Sequence, residues 1–356
     1  MSASIKGRDW GRLLRPYRLP DPVRSSVELA LTAIPFAVLW AGTWFALKHG
    51  VWWGLVLTVP AAGFLVRLFI IQHDCGHGSF SSSKMLNDWV GRVLSVVTLT
   101  PYDYWRRAHA IHHATAGNLD RRGVGDVETL TVTEYLQSPR ARRLTYRLFR
   151  HPVVMFGLGP AFVFLIRHRL PVGLMTAGWK PWLSTLGTTL ATAICALALI
   201  RVAGAGAFFL VQAPITLLAG LGGVWLFYLQ HQFEGVVWMR GPDWSHRSAA
   251  LLGSSHYDLP VPLRWFTGDI GLHHIHHLDS QIPFYRLRRV LRDCPELRAG
   301  RLTFAQGFRG VGLALWDEAA GRLVSFDEVR RSPSAAAIPR RQAPRPAMSI
   351  SPTPAE

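Results

Sequence analysis

The sequence predicts an all-α integral membrane protein: four transmembrane helices in two hairpins, with a histidine-rich helical cap on the cytoplasmic side. Three observations carry that prediction. Of 356 residues, 49% are hydrophobic and only 17% charged, against roughly 25% charged in soluble domains. The apolar residues form long unbroken runs. The 39 Lys and Arg, set against 22 Asp and Glu for a net charge of +17, fall between those runs. A disordered polybasic chain would lack the apolar content, and a nucleic-acid binder of this charge carries its basic residues in a compact soluble domain. No nucleic-acid partner is expected. Three cysteines (Cys75, Cys195, Cys294), with no CxxC pair, supply neither a disulfide framework nor a thiolate zinc site.

Residues 1–26 read as a basic cytoplasmic N-terminus, without the short apolar core and small-residue cleavage site of a removable signal. The runs 27–47 and 51–71 are each long enough to cross a ~30 Å hydrocarbon core, and Lys48-His49-Gly50 turns one into the other. Glu28 is expected at the edge of the first span, and Arg67 is expected to snorkel from the end of the second. A second hairpin follows at 182–200 and 206–229. Two further runs, 89–100 and 153–166, are too short to span and suit interfacial or re-entrant segments. The Lys/Arg distribution places nearly all the polar chain in the cytoplasm. Residues 331–356 are rich in Pro, Ala and Ser and are expected to be a disordered tail.

Histidine is the informative residue type. Among fifteen, His73 and His77 lie in HDCGHGSF; His109, His112 and His113 in RRAHAIHH; His273, His276 and His277 in GLHHIHHLD. On a helix, positions i, i+3 and i+4 share one face, so each cluster presents its imidazoles together. Two-helix hairpins return all three clusters to one side of the membrane, an agreement independent of spacing. Eight rings are too many for one tetrahedral centre and suit two metal ions. His231, in QHQFE at the end of the fourth span, is a ninth candidate. His274 points off the shared face, His256 in GSSHYDLP is a weaker ligand candidate still, and His49, His151, His168 and His246 read as ordinary interfacial polar residues. A solvated Arg-His face on lipid phosphates is the plain alternative, but same-face spacing that recurs three times argues against it. Imidazole ligands suit several metals. A zinc protease would need HExxH, which is absent here, and attack on an apolar membrane substrate favours iron.

The boxes HDCGHGSF, HAIHH and HHIHH, over about residues 27–295, resemble the membrane fatty acid desaturases, which are di-iron enzymes. The form HDCGHGSF is similar to the subgroup acting toward the methyl end of acyl chains. The resemblance implies a desaturase domain over 27–330 and two iron ions held by His73, His77, His109, His112, His113, His231, His273, His276 and His277. It also implies O2 as co-substrate and a fatty acyl substrate linked to lipid, CoA or a carrier protein. Asp74 and Asp269 are expected to orient ligands; Asp269 and Phe284 stand where relatives often carry Asn. The nearest rival is hydroxylation or ketolation at the same centre. A divalent-metal transporter would need polar residues at mid-span, which three of the four spans lack.

Each turnover needs two external electrons. His151-Pro152 is followed by Val153-Val154 rather than by the glycines of a haem signature, and no cysteine set for an iron–sulfur cluster or GxGxxG fingerprint is present. A separate donor such as a ferredoxin is therefore expected. The arginine-rich stretch after the second box, with Arg142 and Arg143, is its expected docking site.

Overall fold

The computed structural model describes residues 9–298 and 300–331. Lys6, Arg8 and the expected tail beyond 331 lie outside the described residues. The first long helix, α1 (Pro22–Lys48), starts where Asp21 accepts the N–H groups of Val23 and Arg24 and Pro22 sits at the first helical position. A 3-10 turn, Trp52–Leu57, leads into α2 (Thr58–His77). The two arms touch at Gly54, where an added Cβ would fall 2.4 Å from that of Ala46. Gly78, at φ +72°, ends α2 directly after His77. Next come α3 (Lys84–Thr98), α4 (Tyr102–Thr115) and α5 (Arg140–Phe149), followed by a segment from Val153 to Ile166 with two π-helical turns. The second long hairpin is α6 (Trp179–Ala203) and α7 (Ala205–His231). Short helices α8 (Val261–Phe266), α9 (His273–Leu278) and α10 (Phe284–Asp293) build the cap.

Four helices are long and apolar enough to cross a membrane: Pro22–Lys48, Trp52–His77, Trp179–Ala203 and Ala205–His231. They match the four expected spans. Their outer faces expose Val27, Leu31, Ile34 and Val38 on α1 and Leu183, Leu186, Leu190 and Ile194 on α6. Water would not tolerate so large an apolar patch on a soluble monomer. Inside, Leu65, Leu68 and Ile71 of α2 pack with Val211 and Ile215 of α7, and the same core continues into Ile275 of α9 and Leu287 of α10. This continuity fixes the cap on the ends of α2 and α7.

Three expectations need correction. Arg67 does not snorkel: it is 2% exposed, pairs with the equally buried Glu28 of α1, and lies over the Trp265 ring at 4.2 Å. Glu28 and Arg67 meet across the hairpin, and a buried charge with a partner has no reason to reach for water. The cap is not purely helical. Leu130–Thr131 (β1) pairs parallel with Leu315–Asp317 (β4), which pairs antiparallel with Arg322–Val324 (β5); His256–Asp258 (β2) pairs parallel with Arg301–Thr303 (β3). These strands are two or three residues long, too short to leave an alternating pattern in the sequence. Asp269, expected to orient a ligand, turns away. Its φ of +55° directs the carboxylate to Arg288 at 2.7 Å and Arg264 at 3.5 Å.

Candidate metal centre

All nine histidines singled out in the sequence converge at the cap end of the helix bundle. They form two groups: His73, His77, His109, His113 and His276 in one, His112, His231, His273 and His277 in the other. Within each group the potential ligand atoms lie within 4.8 Å of one another. Helix geometry explains the supply. The last turn of α2 presents His73 and His77, α4 presents His109 and His113 to the first group and His112 to the second, and α7 ends at His231. Trp105 stacks on His109 at 4.4 Å and holds that ring edge toward the cluster. Eight of the nine are buried, with His77 somewhat more open.

The nitrogen contacts test whether metal fits. Nε2 of His231 lies 3.1 Å from Nε2 of His112 and 3.0 Å from Nε2 of His273. On its other side, His231 Nδ1 donates to the Gly253 carbonyl at 3.1 Å, and His112 Nδ1 donates to the Asp126 carboxylate. A neutral imidazole has one proton. With both protons on Nδ1, the two Nε2 lone pairs point at each other. In the first group Nε2 of His113 lies 3.1 Å from those of His109 and His276. Burial, reinforced by neighbouring imidazoles, pushes His109, His113, His273, His276 and His277 well below the ordinary histidine pKa. They are neutral and cannot relieve the contact by adding protons. Four more buried nitrogens, His77 Nε2, His273 Nδ1, His276 Nδ1 and His277 Nε2, have no hydrogen-bond partner among the described residues, a state that costs about 1–3 kcal/mol each. Converging lone pairs with orphaned nitrogens are the donor set of cations, and the count of five and four fits two of them.

Other expected residues are placed as follows. Asp74 sits beside His73 with 3.4 Å between Oδ1 and Nδ1, but its closer contact is the backbone N–H of Phe284, at 2.7 Å from Oδ2. His274 lies outside both groups: Nε2 contacts the Leu297 carbonyl at 2.7 Å, and burial pushes its pKa down to about 4. His49, His151, His168, His246 and His256 are likewise outside. Arg142 and Arg143 lie on α5. The residue that sequence reasoning missed is Asp126. Its loop folds onto α4 because Gly123 and Gly125 adopt φ of +123° and +75°; a Cβ on Gly125 would fall 3.0 Å from the Ala108 carbonyl oxygen and 3.1 Å from the His112 Cβ. The glycine pair before an acid in RRGVGDVE was the available signal.

Four spanning-length helices capped by two clusters of buried imidazoles that could each hold a metal ion define the class: a helical, membrane-type, multi-histidine protein. The family model for fatty acid desaturases matches residues 50–306, and the chain belongs to that family, which makes it an oxidoreductase. It is 42% identical over 318 residues to a fatty acid desaturase of Bacillus subtilis, covering 89% of this chain and 90% of the relative. It is 33% identical over 235 residues to an sn-1 acyl-lipid omega-3 desaturase (ferredoxin) of Synechocystis, covering 63% and 62%. With an acyl-lipid omega-3 desaturase (cytochrome b5) of Arabidopsis thaliana the identity is 27% over 285 residues, covering 73% and 66%.

Proposed function

We propose that this protein places a cis double bond in a fatty acyl chain at two iron ions, using O2 and two electrons from a separate donor on the cytoplasmic side. The convergence of nine imidazoles into groups of five and four carries the reading. His73, His77, His109, His113 and His276 would hold one iron, and His112, His231, His273 and His277 the other. Bound there, the iron pair would supply the O2-activating redox chemistry that no side chain offers against an unactivated methylene. Two vicinal hydrogens leave the chain; with O2, two electrons and two protons the balance is two waters.

The chain's own residues do the positioning. Asp126 holds the His112 proton on Nδ1 and so aims Nε2 inward. Gly253 does the same for His231 through its carbonyl. Trp105 and Phe227 pack against His109 and His112 and keep water from the rings. The relatives' names divide between ferredoxin and cytochrome b5 as donor. For this chain a ferredoxin-like protein is the expected donor, since its positive charge of +17 favours an acidic partner.

The test is purified protein loaded with Fe(II), supplied with O2, reduced ferredoxin and lipid-linked, CoA-linked or carrier-linked acyl chains, with product masses measured. Loss of two hydrogens supports desaturation. Gain of one oxygen would establish hydroxylation instead, and an iron content far from two per chain would sink the di-iron assignment.

A further inference from the structure

Helix α5 has two unlike faces. Tyr146 and Arg150 are buried against the protein: Tyr146 Oη donates to the Ala314 carbonyl at 2.6 Å, and Arg150 donates to Tyr228 Oη, Gln232 Oε1 and the Leu313 carbonyl. The opposite face carries Ala141, Leu144, Thr145, Leu148 and Phe149, all exposed, with Leu144 at 70% and Leu148 at 59%. At about 100° per residue no charged side chain falls within that arc, and Arg140 and Arg142 stand at its two borders. Both are exposed, and neither has a carboxylate in salt-bridge reach among the described residues.

The depth of this helix follows from its neighbours. Arg150, directly after α5, grips Tyr228 and Gln232 at the end of α7. The chain then bends by 61° and runs down along α7. Phe156 packs on Trp225 and Tyr228, with ring centroids 5.1 and 5.5 Å apart, and Pro160 and Phe164 press on Gly220. Gly220 lies roughly 16 Å below His231 along the helix axis, about half of a hydrocarbon core. On this dip Val153, Leu158, Phe162, Leu165 and Ile166 are exposed. The apolar face of α5 is thus continuous with a lipid-facing surface and stands where a spanning helix ends.

From this we infer that α5 lies on the membrane surface, its leucine face in the acyl boundary and Arg140 and Arg142 on the phosphates of anionic lipids. The partner is an anionic phospholipid surface, and Arg142 is a headgroup ligand, not a docking point for an electron donor. An apolar stripe bordered by cations is the pattern of an interfacial helix, and a soluble acidic protein would have to bury leucines already level with the bilayer. The inference rests on the membrane reading but not on the chemistry at the metals.

The experiment labels Leu148→Cys, in a Cys195→Ser background, with an environment-sensitive fluorophore; Cys75 and Cys294 are buried. A second variant carries the label at Leu31→Cys on α1. Both are reconstituted into phosphatidylcholine vesicles with or without phosphatidylglycerol, brominated on the acyl chains of either lipid. The expected result is quenching at both positions, with brominated phosphatidylglycerol several-fold more effective at position 148, and loss of that preference in Arg140→Gln/Arg142→Gln. Quenching at position 31 with a water-like, unquenched label at position 148 would overturn the inference while leaving the membrane reading intact. An undiminished phosphatidylglycerol preference in the double variant would overturn the role of the arginines. Shielding of the position 148 label by reduced ferredoxin would return this face to the donor.

Discussion

His112 Nδ1 donates to the carboxylate of Asp126, while His112 Nε2 faces His231 Nε2 at 3.1 Å. One side chain thereby links an acid, set on a loop, to a ligand at the end of a long helix. Asp126 is also tied back to its own loop, accepting the Gly123 N–H at 3.3 Å, so the imidazole is held from a fixed point.

Asp126→Asn keeps the size of the side chain but removes the charge that keeps the His112 proton on Nδ1. Loss of such an acceptor typically weakens metal binding by about 10–100-fold. We expect Fe(II) affinity, measured by competition with a chelator, to fall in that range while helical circular dichroism is kept. An unchanged affinity would remove Asp126 from the centre.

The nine histidines were legible because a metal demands clustering, and helix periodicity turns clustering in space into clustering in sequence. His231 was legible for a different reason: it ends an apolar run at the height the other boxes must reach. Asp126 was not, since its approach depends on two positive-φ glycines in a loop without periodicity. Proximity along the chain misled at Asp269, where one left-handed residue sends the carboxylate to Arg288. At Arg67 the partner that removes any need to reach for water is the carboxylate of Glu28, 39 positions away on another helix and invisible in the pattern of a single span.

That pair makes its own prediction. Arg67→Met strands Glu28 in the apolar core, and breaking a buried ion pair from one side costs about 3–5 kcal/mol. Arg24 also reaches Glu28, at 2.6 Å, but from a side chain that is 58% exposed, so it offsets only part of the loss. In detergent the single variant should unfold at markedly lower temperature, and Glu28→Gln/Arg67→Met should recover most of the difference. A double variant as unstable as the single one would show that the contacts of Arg67 with Trp265 and Phe284, rather than the pairing, carry the effect.

Gly271 is a third test, because no side chain fits there. A Cβ would fall 2.2 Å from the Tyr257 carbonyl oxygen, a backbone atom that cannot swing aside. The same two residues share the hydrogen bond from Tyr257 N–H to the Gly271 carbonyl at 2.7 Å. Gly271→Ala should therefore push β2 and the start of α9 apart and displace His273, lowering both iron content and thermal stability. Gly312→Ala, with nothing among the described residues within 4 Å of the added carbon, should change neither. Normal iron loading in Gly271→Ala would mean that the third box tolerates a shift the geometry forbids.

His231 and His274 are both buried imidazoles, yet the structure gives them opposite work. His231 Nε2 faces two other ligand nitrogens, whereas the His274 ring lies between two carbonyls, 2.7 Å from that of Leu297 and 3.4 Å from that of Ser255, and stacks on His256 at 5.5 Å. With its pKa pushed to about 4 by burial first and by His256 second, His274 carries a single proton near neutral pH, and the shorter contact assigns it to Leu297. It ties α9 to the turn at Pro295–Arg298. His231→Gln should thus lose iron and product while its melting temperature without metal barely moves. His274→Ala should keep iron and lose stability by about 1–3 kcal/mol, the penalty for leaving the Leu297 carbonyl unpaired; His274→Gln, which offers an amide donor, should recover part of it. Loss of iron from His274→Gln at unchanged stability would place His274 among the ligands and reverse the assignment of the two residues.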